Sequence, residues 1–198
     1  MPDSCEPADK IESSACGNLP PCRRQPPARW RKTKVKSAIE VLKSRRSIRT
    51  YTQQPVDKCV IEDIVDCARL APTAMNDQPW DFVVVTAKDA LASLPVMLGH
   101  GEFLASAAFV VLVLTRETTY GIEDSCAATE NLLIAAEAHG IGACWVAGNK
   151  QSYGPVVAKA FGAPADRQLV AIVSFGYPAE KPQVEKRLLT DVLHWDRF

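Results

Sequence analysis

Apolar residues follow two rhythms along this chain, one of helical period and one of short unbroken runs, and both begin near Ser37. There Ala38, Ile39, Val41 and Leu42 recur at helical spacing and predict a helix that ends at a cluster of arginines. Between about Asp57 and Ala71, the apolar positions Val60, Ile61, Ile64, Cys67, Ala68 and Ala71 share one helical face. Asp57 is placed to cap this second helix and Pro72 to end it. DFVVVT at 81–86 and AAFVVLVLT at 107–115 are β-branched runs of strand length, the second apolar on both faces and so a central strand. Gly99, His100 and Gly101 mark a loop between them. Residues 124–139 are apolar nearly all round, as in a core helix, with Asp124 or Ser125 as cap and Gly140 in the left-handed position past the end. ACWVAG at 143–148 reads as a strand entering a tight loop, Pro155 to Phe161 as a short helix closed by Gly162, and QLVAIVSFG at 168–176 as the last core strand. From Tyr177 onward core periodicity is missing, yet the tail ends on Leu193, Trp195 and Phe198, which suits a segment lying on its own domain or on a partner.

Four helices and four strands, interleaved without regular βαβ units, place the fold in the α+β class. A chain of 198 residues, 47% of them apolar, can bury one proper core. Residues 1–36 carry Pro20, Pro21, Pro26 and Pro27 and little apolar surface, so they are expected to form a disordered extension before a domain over 37–198. The formal charge of zero excludes a strong overall field for nucleic acid or anionic membrane. Locally, residues 23–36 hold seven Arg and Lys and no acid. Seven cysteines without a C-x-x-C pair argue against a disulfide framework and a zinc knuckle. The longest apolar run, Ala107 to Leu114, falls far short of the roughly 20 residues a membrane span needs. No signal peptide is legible, and a soluble, reducing, cytoplasmic setting is expected.

Familiar cofactor and nucleophile signatures are missing. Gly140-x-Gly142 follows a helix and enters a strand, the reverse of the order that places a pyrophosphate on a helix N-terminus. His100, His139 and His194 share no ligand spacing, so no metal site is expected. Two polar segments remain. RRSIRTY at 45–51 gathers Arg45, Arg46, Ser47 and Arg49, donors suited to a phosphate or an electron-rich ring edge; a helix end whose cations complement the dipole is the alternative. APTAMNDQPW at 71–80 breaks a helix and presents Thr73, Asn76 and Gln78 with free backbone amides ahead of Trp80.

With GIGACWVAG at 140–148 and EKRLLTDVLHW at 185–195, these segments resemble the nitroreductase family in order and spacing, from about Ile39 to Trp195. The resemblance implies a mixed, mainly antiparallel sheet flanked by helices, an intertwined homodimer, and FMN as cofactor. Arg45 would hold the FMN phosphate with Arg187 as second ligand, Ser47 a ribityl or flavin polar group, and Arg49 the pyrimidine edge, with Arg46 in the same shell. Pro72, Thr73, Ala74, Asn76 and Gln78 would line the isoalloxazine from the second protomer, and Ala147 and Gly148 would offer N–H groups to flavin N5 and O4. The implied activity takes hydride from NADH or NADPH and passes it to a small nitroaromatic or quinone by a ping-pong route, with no side chain assigned as acid. Two alternatives stand: the same fold as a flavin or enone reductase or a reductive dehalogenase, and a non-catalytic flavin-binding protein whose basic arm contacts a polyanion. Cys126 and Cys144 are expected to be packed thiols and Asp124 a helix cap, while Trp80 and Trp145 suit either flavin or core. The stretch 87–106 reads as a short loop without an aromatic lid.

Overall fold

The computed structural model describes residues 36–198, so the extension expected over 1–36 lies outside the described residues but for Lys36. Helix α1 (Ala38–Ser44) opens on a reciprocal cap, Ser37 accepting from the Glu40 amide while Glu40 accepts from the Ser37 amide. It is followed by α2 (Lys58–Ala68), β1 (Trp80–Val85), α3 (Lys88–Leu98), β2 (Phe109–Arg116), α4 (Gly121–Ala138), β3 (Gly142–Ala147), α5 (Gly154–Ala160) and β4 (Arg167–Gly176). The strands form one sheet in the order β1-β2-β4-β3, every neighbouring pair antiparallel. The parallel element expected of a mixed sheet is reduced, among the described residues, to the single bridge Ser47–Ala143.

Strand β2 is central, as its two-faced apolarity required. Val110, Leu112 and Leu114 pack with Leu91, Leu94 and Leu98 of α3 and with Val157 and Ala158 of α5. The other face of the sheet carries α4, which is itself backed by α1 and α2. Enclosure on both sides explains why α4 is apolar all round rather than along one stripe. Phe109 and Phe175, opposite one another on β2 and β4, stack with ring centroids 4.5 Å apart.

Three expectations need correction. Residues 88–98, expected as loop, form α3: Leu91, Leu94 and Leu98 make its buried face. Pro95 reads as a breaker but falls in the last turn, where it removes one backbone bond and the helix is about to end at Gly99. Helix α4 begins at Gly121, not after Asp124 or Ser125, and the Asp124 amide already donates to Tyr120 O at 2.9 Å. Asp124 is therefore inside the first turn and buried instead of capping. Asp57 does occupy the cap position of α2, but its side chain makes no capping bond. Gly140 is left-handed as expected, and the Ile141 amide returns to Ala136 O at 2.8 Å.

Candidate functional site

The arginine segment leaves α1 and docks on the start of β3. Gly142 of β3 and Gly176 of β4 are register partners, and a Cβ on either would stand 2.9 Å from Ile48 or Tyr51 respectively. These paired glycines form a trough that takes the two buried side chains of the segment. The Ile48 amide donates to Ala143 O at 2.9 Å, and Tyr51 Oη bonds Ile48 O at 2.6 Å and Ser174 Oγ at 2.7 Å. Burial pushes the Tyr51 hydroxyl pKa upward. With Ile48 and Tyr51 turned inward, Ser47 and Arg49 face solvent. Glu180, which the sequence reading overlooked, fixes the segment from outside by accepting from the Arg49 amide at 2.6 Å and the Thr50 amide at 3.0 Å. The Arg49 amide, followed by that of Thr50, holds its carboxyl below the ordinary carboxylate range.

The arginines have separate surroundings. Arg49 lies 5.9 Å above the centroid of Phe103, an aromatic from the stretch expected to have none of use. Arg45 is half-buried and 3.6 Å from Glu130 of α4. Arg46 donates to the carbonyls of Lys43 at 2.9 Å and Arg45 at 2.7 Å, so it takes the helix-end role. Arg187 is exposed and donates to Asp191 O at 2.6 Å within the turn Leu189–Asp191.

The segment 72–78 is a strained loop. Met75, Asn76 and Gln78 have φ of 53°, 58° and 48°, a left-handed backbone that costs a non-glycine residue about 1–3 kcal/mol. Asp124 accepts from Thr73 Oγ1 at 2.7 Å and from the Ala74 amide at 3.2 Å, while Thr73 Oγ1 accepts from the Gln78 amide at 3.0 Å. Arg116 holds the far side through Asp77 O at 2.8 Å. The Gln78 side chain donates to Asn76 O at 3.3 Å, and Pro72 is exposed. Trp80, just beyond, is core: it packs with Ala71 and Ala128.

At the other end of β3, Gly148 donates its N–H to Val170 O at 2.9 Å and Asn149 donates to the same oxygen at 3.1 Å. Val170 is the extra residue of a bulge in β4, since Val113 pairs with Ala171 and Leu114 with Leu169. The Gly148 N–H, expected to meet the flavin, is thus bonded within the sheet. Alternation along an antiparallel pair then turns Trp145 and Ala147 outward, on the free edge of β3. The Ala147 carbonyl is taken by Tyr153 Oη at 2.5 Å, which leaves its N–H as the outward donor. Burial raises the Tyr153 hydroxyl pKa, consistent with a hydroxyl that remains a donor.

The structure thus brings the arginine segment and Ala147 to opposite ends of one strand edge, but keeps the 72–78 loop apart from them. That loop is tied to Asp124 in the first turn of α4, whereas Ser44 and Lys36 reach Glu137 near its end. Arg45 meets α4 at Glu130, six positions from Asp124, while the 72–78 loop leads into β1 at one edge of the sheet and Ala147 lies on β3 at the other. Cys144 is buried, Cys67 and Cys126 are half-buried, and burial is the main cause raising all three thiol pKa values, so these are packed thiols. His139 Nε2 lies 2.6 Å from Asp63 Oδ2. Among the described residues no His, Cys, Asp and Glu cluster could hold a metal, and no helix is long and apolar enough to cross a membrane.

Comparison with known proteins bears on the family and the fold. The profile of the Nitroreductase family matches residues 42–98 and 93–177. A protein of Archaeoglobus fulgidus provisionally named NADH dehydrogenase/NAD(P)H nitroreductase is 31% identical over 174 residues, covering 83% of this chain and 100% of that one. A crystal structure from Bacteroides thetaiotaomicron with the same provisional name superposes with a TM-score of 0.77 at 29% identity, covering 81% of this chain and 98% of that one. An FMN-dependent nitroreductase from Clostridium difficile gives 0.75 at 27% identity, over 81% and 99%. With its α+β fold and its four motifs on one scaffold, the chain belongs to the nitroreductase family.

Proposed function

We propose that this protein is an FMN-dependent, NAD(P)H-using oxidoreductase that acts as a homodimer on electron-poor small molecules such as nitroaromatics and quinones. The observation that carries the reading is the edge of β3. A segment carrying the half-buried Arg45 and the exposed Arg49 docks at Ala143, and an outward amide stands at Ala147, about 13 Å further along the strand. That layout fits a ligand with an anionic tail and a hydrogen-bonding ring, and the FMN-dependent relative supports the choice of FMN. Bound there, FMN would supply a two-electron carrier between reductant and acceptor.

The residues of this chain bind and orient. Arg45 would hold the phosphate, joined by Arg187 as the tail settles, and Ser47 would meet the ribityl chain. Arg49, laid on Phe103 and fixed at its backbone by Glu180, would face the pyrimidine edge, where a set cation favours added negative charge. The Ala147 amide would offer its N–H to the ring. The 72–78 loop of a second copy would line the ring, since within one chain that loop leads into β1, at the edge of the sheet opposite β3. No side chain is needed as proton donor in a site open to water. Reductant and acceptor use the same opening in turn, in a reducing cytoplasmic setting that suits the unpaired thiols.

Absorption spectra of the purified protein before and after anaerobic NADH and NADPH test this reading. A flavin spectrum bleached by either nucleotide is expected, with parallel double-reciprocal lines for reductant against acceptor. A colourless protein that FMN cannot reconstitute refutes the reading, and intersecting lines refute the shared opening.

A further inference from the structure

The loop from Thr73 to Gln78 places three non-glycine residues in the left-handed region, and Met75 at its tip is 89% exposed. Such a backbone persists only where its surroundings over-determine it. Arg116 holds one side from an exposed position. The other hold is Asp124, which is 7% exposed and forms no ion pair among the described residues. Its charge is satisfied by the Thr73 hydroxyl, by the Ala74 amide and by its place in the first turn of α4. Thr73 Oγ1 then passes the restraint on to the Gln78 amide, closing the loop across its two ends.

We infer that Asp124 is a positioning residue, whose grip on Thr73 and Ala74 keeps the 72–78 loop in the conformation that meets the cofactor. The inference rests on the function proposed above, in which that loop lines the ring of FMN bound by a second copy. A residue serving only α4 would not need this arrangement. Helix capping would put the carboxylate at position 120, and a carboxylate serving α4 alone would have no reason to bond a loop 50 residues upstream.

The test uses the full chain as Asp124→Asn, Thr73→Val, Thr73→Ser and the double variant Asp124→Asn/Thr73→Val. Two quantities are read: FMN Kd by quenching of flavin fluorescence, and amide exchange over residues 73–78 in the FMN-free protein. Loss of the shared bond is expected to raise Kd about tenfold in Asp124→Asn and in Thr73→Val, and the double variant no further than the weaker single. Thr73→Ser, which keeps the hydroxyl, stays within about twofold of the wild type. In the FMN-free protein the Ala74 and Gln78 amides exchange about tenfold faster in Asp124→Asn and Thr73→Val. Unchanged exchange overturns the clamp, and faster exchange with unchanged Kd overturns its link to the cofactor. A wild type that binds no FMN overturns the functional reading, while the exchange arm still decides whether the clamp exists. Should Asp124→Asn fail to fold, Thr73→Val and its serine counterpart carry the same comparison.

Discussion

Replacing Gly148 with Ala probes how closely β3 must approach β4 where the strand edge opens. A Cβ at this position would stand 2.7 Å from Leu169 Cγ, 3.0 Å from the Val170 carbonyl carbon and 3.1 Å from the Ala171 nitrogen. Leu169 is 2% exposed, so its side chain has no space to swing into, and the other two atoms are backbone of a central strand. The end of β3 must therefore move away and lengthen the Gly148 to Val170 bond of 2.9 Å. Overpacking of this kind costs about 1–3 kcal/mol and a weakened backbone bond about 1 more. The smaller backbone entropy of unfolded Ala offsets less than about 1 kcal/mol of that. The net of about 1–4 kcal/mol, at roughly 2–4 °C per kcal/mol for a domain of this size, should lower Tm by about 2–16 °C in a thermal melt. Because Ala147 is adjacent, its outward N–H shifts too, and FMN titration should show Kd rising about tenfold. A melt within about 2 °C of the wild type refutes the packing argument. A lowered Tm with unchanged FMN affinity refutes the role of the Ala147 amide.

Other outcomes follow from the same geometry. Glu180 has its pKa depressed in the folded state, so its contribution is present above the unfolded value of about 4.3 and is lost as pH falls through the lower folded value. Melts of wild type and Glu180→Gln should differ at neutral pH and converge in acid; a constant gap excludes the carboxylate as cause. Tyr51 has its pKa raised, so stability should fall as pH rises past the unfolded value of about 10, and less steeply in Tyr51→Phe. Equal alkaline slopes would contradict burial as the origin. If Arg45 holds the phosphate as proposed, Arg45→Ala should raise FMN Kd about tenfold or more by fluorescence titration, whereas Arg46→Ala, engaged with carbonyls at the end of α1, should stay within about threefold. Reversal of that order would reassign the phosphate. Deleting residues 1–35 should leave FMN content within about twofold, since prolines and charge give the segment little to bury.

The elements legible in the sequence were those whose pattern follows from local burial. The run at 107–115 announced a central strand because both faces are covered, and 124–139 announced a core helix for the same reason. Helix α3 was missed because Gly99, His100 and Gly101 marked a loop there, while the buried triplet Leu91, Leu94 and Leu98 carried the helical period. In the site, clustered motifs located the arginine segment and the 72–78 loop, but their partners arrive from far along the chain. Glu180 reaches Arg49 across 131 positions, and Asp124 reaches Ala74 across 50. Nothing local marks such carboxylates. The bond of the Gly148 amide to Val170 depends on the bulge there, a register shift that side-chain pattern does not record.

The outer edge of β3 is open for only a short distance. Its first half is closed by the Ile48 amide on Ala143 and its last carbonyl by Tyr153, which leaves the N–H groups of Trp145 and Ala147 facing out. An exposed strand edge invites other chains to add to it, and natural sheets counter this by keeping such edges short or covered. Two amides can serve a small planar guest, yet they give a foreign strand too little to grip. The same brevity limits strand addition at this edge of the sheet.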